Sequence, residues 1–136
     1  MLNRFAGRTD LARAQLEAAR AQLASQPHAV ETTNDVLFSD GTAALYLGDR
    51  RTAVENAERL VANVERAPFM EAVDWHLAAA QLFAGAEEID RAVAELDRYL
   101  AAPGSCSVKY AAKIPRFDPI RDDPKFKTLV AKYERR

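Results

Sequence analysis

The sequence predicts an all-α domain in which antiparallel helical hairpins stack on one another and a last helix closes the stack. Three observations lead there. Apolar residues recur mostly at three- and four-residue spacing in five successive segments, least sharply in the second, the period of helices with one buried face. A glycine-containing turn that leads into an Ala-Val pair occurs twice, at Gly48 before Ala53-Val54 and at Gly85 before Ala92-Val93, and self-similarity at a spacing of roughly 20–50 residues marks a stacked array. No β-branched run alternates over a useful length and no Asn-Gly hairpin turn occurs, so strands are not expected.

The first helix lies between Asp10 and Ser25, with Leu11, Ala12, Leu16, Ala19 and Leu23 as its apolar stripe, and Gln26-Pro27 ends it. The second runs from about Val30 to Leu47 and stops at Gly48, which suits a left-handed turn after a helix. Gly41 within it costs about 1 kcal/mol relative to alanine, which implies a packing reason such as close approach of a neighbouring helix. A third helix spans about Arg51 to Arg66, with Ala53, Val54, Ala57, Leu60, Val61 and Val64 on one side. After the Ala67-Pro68 break, Pro68 opens a fourth helix as its first residue, continuing through Val73, Trp75, Leu77, Ala78, Leu82 and Phe83 to Gly85. The fifth covers Ile89 to Ala102 and is closed by Pro103-Gly104.

With 136 residues, 49% of them hydrophobic and 29% charged, the chain is expected to form one globular domain. No apolar run approaches the roughly 20 residues needed to cross a bilayer, and residues 1–10 lack the apolar stretch of a secretory signal, so a cytoplasmic location is expected. The single cysteine, Cys106, has no internal disulfide partner and no neighbouring base, and reads as an inert thiol. The formal net charge of −1 hides an asymmetry, since residues 108–136 hold nine of the 19 Lys and Arg but four of the 20 Asp and Glu. Such a basic end could steer a charged partner, complement the acidic body or be solvated.

The hairpin segments resemble the tetratricopeptide family, whose pattern has a small residue midway along the first helix, a glycine at the turn and an alanine five residues later. Gly41, Gly48 and Ala53 match it; Ala78 and Gly85 match in the next unit, but Ala92 falls seven residues after the glycine. That spacing reads as a turn lengthened by two residues, Ala86 to Asp90. The resemblance implies a short right-handed tetratricopeptide-like solenoid over residues 1–136, divided into a half repeat (1–27), two repeats (28–67 and 68–104) and a C-terminal cap (105–136). The segment from Pro115-Arg116-Phe117-Asp118-Pro119-Ile120-Arg121 through Asp123-Pro124-Lys125-Phe126 resembles the ending of such regions in bacterial multidomain regulators, where they follow a kinase, a cyclase or a winged-helix domain. It implies a cytoplasmic signalling or scaffold role for the C-terminal part of a longer protein, or for a free-standing relative.

The same segment makes physical sense by itself. Asp118-Pro119 and Asp123-Pro124 each place a capping carboxylate before a proline at a first helical position, so a short turn and a final helix to about Tyr133 can begin there. Phe117, Ile120, Phe126, Leu129 and Val130 would then cover the apolar face that a stacked array leaves open at its end. Cation binding by Asp118, Asp122 and Asp123 is disfavoured, because the glycine and glutamate of a calcium loop are missing.

Catalytic signals are thin. His28 and His76 stand outside any Ser-His-Asp, Cys-His or His-x-x-x-His arrangement, and no Gly-rich phosphate loop occurs. The reading is therefore a protein-protein interaction module rather than an enzyme, with no cofactor and no metal. In the resembled family the first helix of each pair lines the concave side, which makes Asp35, Phe38, Thr42, Tyr46, Trp75, His76, Ala79 and Leu82 the candidate groove. For Trp75, Tyr46 and Leu82 the competing reading is core between repeats. The Lys and Asn set that clamps a chaperone's terminal carboxylate is not matched, since Phe38 and Thr42 stand at those positions. Two further readings are kept: homodimerisation through the Leu11, Leu16 and Leu23 side of the first helix, and weak nucleic-acid binding by the basic C-terminal segment, which the overall pI of about 6.1 disfavours.

Overall fold

The computed structural model describes residues 9–25, 33–66 and 69–135. Five main helices follow one another: α1 (Thr9–Ser25), α2 (Thr33–Tyr46), α3 (Arg50–Val64), α4 (Phe69–Gly85) and α5 (Ile89–Ala101). A single turn α6 (Val108–Ala111), a 3-10 helix (Pro115–Ile120) and α7 (Pro124–Glu134) complete the chain. No strand occurs among the described residues. The expected breaks at Pro27 and Pro68, and His28 with them, lie outside the described residues.

Neighbouring helices pack in chain order, α2 on α3, α3 on α4 and α4 on α5, while α2 also meets α4. One apolar core joins Leu37, Leu60, Leu82, Leu96, Phe117, Ile120, Phe126 and Leu129, so the C-terminal elements share the core of the hairpins. The 3-10 helix lies against α4, and α7 lies against α5 and α6.

The two hairpins α2–α3 and α4–α5 are related residue by residue at an offset of 39: α2 ends at Tyr46 and α4 at Gly85, while α3 starts at Arg50 and α5 at Ile89. Their turns have the same geometry. Asp49 has φ −87° and ψ 77°, and Glu88 has φ −84° and ψ 74°. The Asp49 N–H donates to the Ala44 carbonyl at 2.8 Å, and the Glu88 N–H to the Phe83 carbonyl at 2.9 Å. This six-to-one bond closes a helix whose second residue past the end is left-handed. That left-handed residue is Gly48 (φ 81°) in the first turn but Glu87 (φ 62°), not Gly85, in the second. The lengthened turn expected from the sequence is therefore corrected. The second turn is the same length as the first, and Ala53 and Ala92 each follow their left-handed residue by the same interval.

Gly85 and Gly41 serve the packing of α2 against α4. A Cβ on Gly41 would stand 2.8 Å from Leu82 Cδ1, and one on Gly85 would stand 2.4 Å from Leu45 Cδ1. Leu82 is fully buried whereas Leu45 is only half-buried, so Leu45 has room to swing away and Leu82 has none. Gly41→Ala is expected to cost about 1–2 kcal/mol, overpacking outweighing the gain in helix propensity. Gly85→Ala should cost less; chemical denaturation of the two variants checks the order.

Polar groups pin the turns. Asp49 caps α3, accepting from the Thr52 N–H at 3.1 Å and the Thr52 hydroxyl at 2.6 Å, and Arg20 from α1 reaches both Asp40 at 2.7 Å and Asp49 at 3.4 Å. The Thr52 hydroxyl and N–H, with Arg20 adding to them, hold the Asp49 carboxyl below its ordinary value of 3.8. Because the unfolded chain then binds the proton more readily, this contribution is present above about pH 4 and is lost as pH falls through the depressed folded value. Asp49→Asn keeps a capping side chain and removes the titration. The variant should be about 0.5 kcal/mol less stable near neutrality, and its deficit should shrink toward pH 3 in urea-unfolding midpoints taken across that range.

At the C-terminal end Asp123 accepts from the Lys125 N–H at 2.8 Å and Pro124 begins α7, as the sequence suggests. Asp118 behaves differently. The 3-10 helix starts three residues earlier, at Pro115 with Ile114 before it, and Pro119 lies inside it. Asp118 instead pairs with Arg121 at 2.7 Å, and Arg121 also donates to the carbonyls of Ala112 and Ile114. The expectation that Asp118-Pro119 opens the turn is therefore corrected: the helix has already begun at Pro115, and Pro119, which has no N–H, forgoes one intrahelical bond inside it.

Candidate functional site

The candidate groove residues do not form one open surface. Ala79 and Leu82 have no exposure at all, so neither can touch a partner in this fold, and their place in the groove is corrected to core. The physical reason is Gly41, whose missing side chain lets Leu82 seat directly against α2. Trp75 is half-buried and packs on the core, while Asp35 is exposed in the first turn of α2.

His76 is turned into a polar cluster with α5. Its Nδ1 lies 2.7 Å from Glu95 Oε2, and Arg98 donates to the other Glu95 oxygen. Glu95 is 4% exposed and Asn56 is 6% exposed, and no other polar or charged residue among those described is as buried. They occupy equivalent positions 39 residues apart, each reaching back to the preceding helix: Asn56 Nδ2 donates to the Leu37 carbonyl at 3.1 Å and to Asp40 at 2.9 Å. These are polar ties inside each hairpin, and one histidine held by one carboxylate offers no nucleophile to activate.

Phe38, Thr42 and Tyr46, on α2, do come together, and with a residue that the sequence places in the basic C-terminal segment rather than in the groove. Arg116, from the 3-10 helix, reaches across to α2, where its Nη1 donates to Thr42 Oγ1 at 2.6 Å and its guanidinium carbon sits 5.2 Å from the centre of the Phe38 ring, within cation-π range. The Thr42 hydroxyl in turn donates to the Phe38 carbonyl at 2.7 Å. Beside this contact a cleft of about 440 Å³ opens, lined by Thr42, Leu45, Tyr46, Gly85, Pro115, Arg116, Asp118 and Pro119. Burial pulls the pKa of the Arg116 guanidinium below its ordinary value, an effect that Tyr46 partly offsets. The signal for Arg116 was its place beside Phe117: with Phe117 facing inward, its neighbour in a tight helix faces another direction.

Two lysines of the basic end answer acidic residues of the body. Lys125 pairs with Asp90, and Lys132 pairs with Asp97 at 2.9 Å, both across from α7 to α5, and Tyr133 donates to the Asp97 carboxylate at 2.5 Å. Cys106 donates its N–H to the Tyr99 hydroxyl at 2.9 Å, and burial pushes the Tyr99 phenol above its ordinary 10. Among the described residues no group of His, Cys, Asp and Glu has the geometry to hold a metal ion, and no helix is long and apolar enough to cross a membrane.

No family model, no curated protein and no solved structure matches this chain.

Proposed function

We propose that this chain is a protein-protein interaction module, a tetratricopeptide-like helical array of the kind that ends bacterial signalling regulators, which takes a peptide or partner domain on the face where α2 meets the 3-10 helix. The observation that carries the reading is the residue-by-residue recurrence of the hairpin at an offset of 39, with the same turn dihedrals in both copies. Stacked hairpins that repeat in this way build extended binding surfaces on a rigid frame. The offset is longer than the roughly 34 residues of a tetratricopeptide unit, so the likeness lies in the hairpin and its turn rather than in strict repeat length. The binding face is narrower than the family pattern implies: Phe38, Thr42 and Tyr46 remain, joined by Arg116, while α4 contributes core.

The test is selection from a displayed library of random peptides on the full chain, followed by amide-shift mapping of the selected sequences. Binders should shift Phe38, Thr42, Tyr46 and Arg116. A selection without binders, or binders whose shifts cluster elsewhere, overturns the reading.

Self-association is a second reading with its own observation. Leu11 is 44% exposed on α1, and the strongest packing of α1 is on α2 alone. A dimer through α1 should appear in light scattering as a mass that rises with concentration and falls back in Leu11→Glu; a constant monomer mass would overturn it.

A further inference from the structure

The cleft beside Arg116 carries a charge that the described chain does not answer. Other arginines that cross between elements end on carboxylates, Arg20 on Asp40 and Asp49, Arg50 on Glu87 and Arg91 on Glu58. Arg116 is different: among the described residues it has a hydroxyl and an aromatic face for company and no carboxylate. The acid that lines the same cleft, Asp118, is already paired with Arg121.

A partly buried guanidinium with one bond made keeps most of its five donors in a planar fork, a geometry that matches a carboxylate with two parallel hydrogen bonds. The surroundings suit one negative charge with apolar flanks. Leu45, Pro115 and Pro119 line the cleft along with Tyr46, and the Asp118 carboxylate on its wall would repel a doubly charged phosphate more strongly than a singly charged carboxylate. The cleft is open rather than enclosed between the ends of α2 and α4, so an extended chain can lay one side chain into it.

We propose that Arg116, backed by Thr42 and Tyr46, is a receptor for a single acidic side chain of an extended partner peptide, whose apolar neighbours rest on Leu45, Pro115 and Pro119. This rests on the partner-binding reading above and names the chemistry of the partner. Arg116 supplies the fork, Thr42 holds one edge of the guanidinium in place, and Phe38 supports its flat face from below. The loss of hydration that Arg116 already bears is then a cost met at folding and not again at binding, which is how a preorganised charge gains affinity.

The experiment uses the full chain and three capped peptides that differ at one position, a glutamate, a glutamine or a phosphoserine between two leucines. Binding is followed by the Arg116 side-chain Nε–H resonance and by titration calorimetry. The glutamate peptide should shift that resonance and bind at least tenfold more tightly than the glutamine peptide. Arg116→Gln should remove the difference, and Arg116→Lys, which keeps the charge but loses the fork, should restore only part of it. Glutamate and glutamine peptides that bind equally on this face would overturn the inference and leave the interaction reading standing. Tighter binding of the phosphoserine peptide would overturn the carboxylate assignment in favour of a phosphorylated partner. No binding by any of the three, while the displayed library still yields binders on the same face, would also overturn it. If Arg116→Gln does not fold, the resonance of the unaltered protein and the peptide comparison decide alone.

Discussion

Phe117→Ala should lower the unfolding free energy by about 3–5 kcal/mol, a large part of the roughly 5–15 kcal/mol that separates most domains from their unfolded chains. Phe117 is the largest side chain among the fully buried residues. Its ring centre lies 5.6 Å from that of Phe126 in α7, and the element that carries it lies against α4. The 3-10 helix is six residues long and has no side-chain cap at its start, so burial rather than local hydrogen bonding holds it in place. Removing the ring should therefore loosen a whole element, and Arg116 with it. Urea denaturation gives the loss, and the Arg116 Nε–H signal should move to its position in an unstructured peptide before the main transition. A variant within 1 kcal/mol of the parent would show that the segment is held by something other than its phenylalanine.

That dependence links the cap to the proposed function. Besides covering the core, the 3-10 helix carries Arg116, whose guanidinium is placed against Phe38 and Thr42. Covering the core and building the cleft are two consequences of the same alternation, Phe117 inward and Arg116 across to α2.

Period and punctuation made the helices legible in the sequence, and the reasons for the errors are equally physical. α3, α5 and α7 have distinct apolar and polar sides, with breakers around α3 and α5 and Asp123-Pro124 at the start of α7, and their observed bounds lie within two residues of those expected. In the second turn the sequence points to glycine for the left-handed position, whereas Glu87 adopts it with its side chain paired to Arg50 at 2.5 Å. Once Glu87 rather than Gly85 is aligned with Gly48, the second unit needs no insertion. Gly41 does mark a close approach, and the side chain that approaches is Leu82, a groove candidate by its sequence position. Helical period gives the face of a residue and not which neighbour covers that face. The Arg116 contact spans 74 positions, and a pairing that distant leaves no periodic trace.

The buried carboxylate of Glu95 is the second place where one substitution should act strongly, and the outcome should depend on what replaces it. Glu95 is held by His76 and Arg98, and the His76 side chain is itself 18% exposed. Glu95→Ala removes the acceptor, leaves His76 facing an apolar gap between α4 and α5, and should cost about 2–4 kcal/mol, the sum of a lost hydrogen bond and a cavity. Arg98 matters less, since its side chain is 58% exposed and water can replace the carboxylate. Pairing Glu95→Leu with His76→Phe removes both polar partners together and fills the space, so most of the loss should be recovered. A double-mutant cycle on His76 and Glu95 should then return a coupling of about 1–3 kcal/mol. Were Glu95→Ala to cost less than 0.5 kcal/mol, the pair would not be the tie that holds α5 to α4. The equivalence with Asn56 in the first hairpin would then be a coincidence of spacing rather than a polar position that the repeat uses twice.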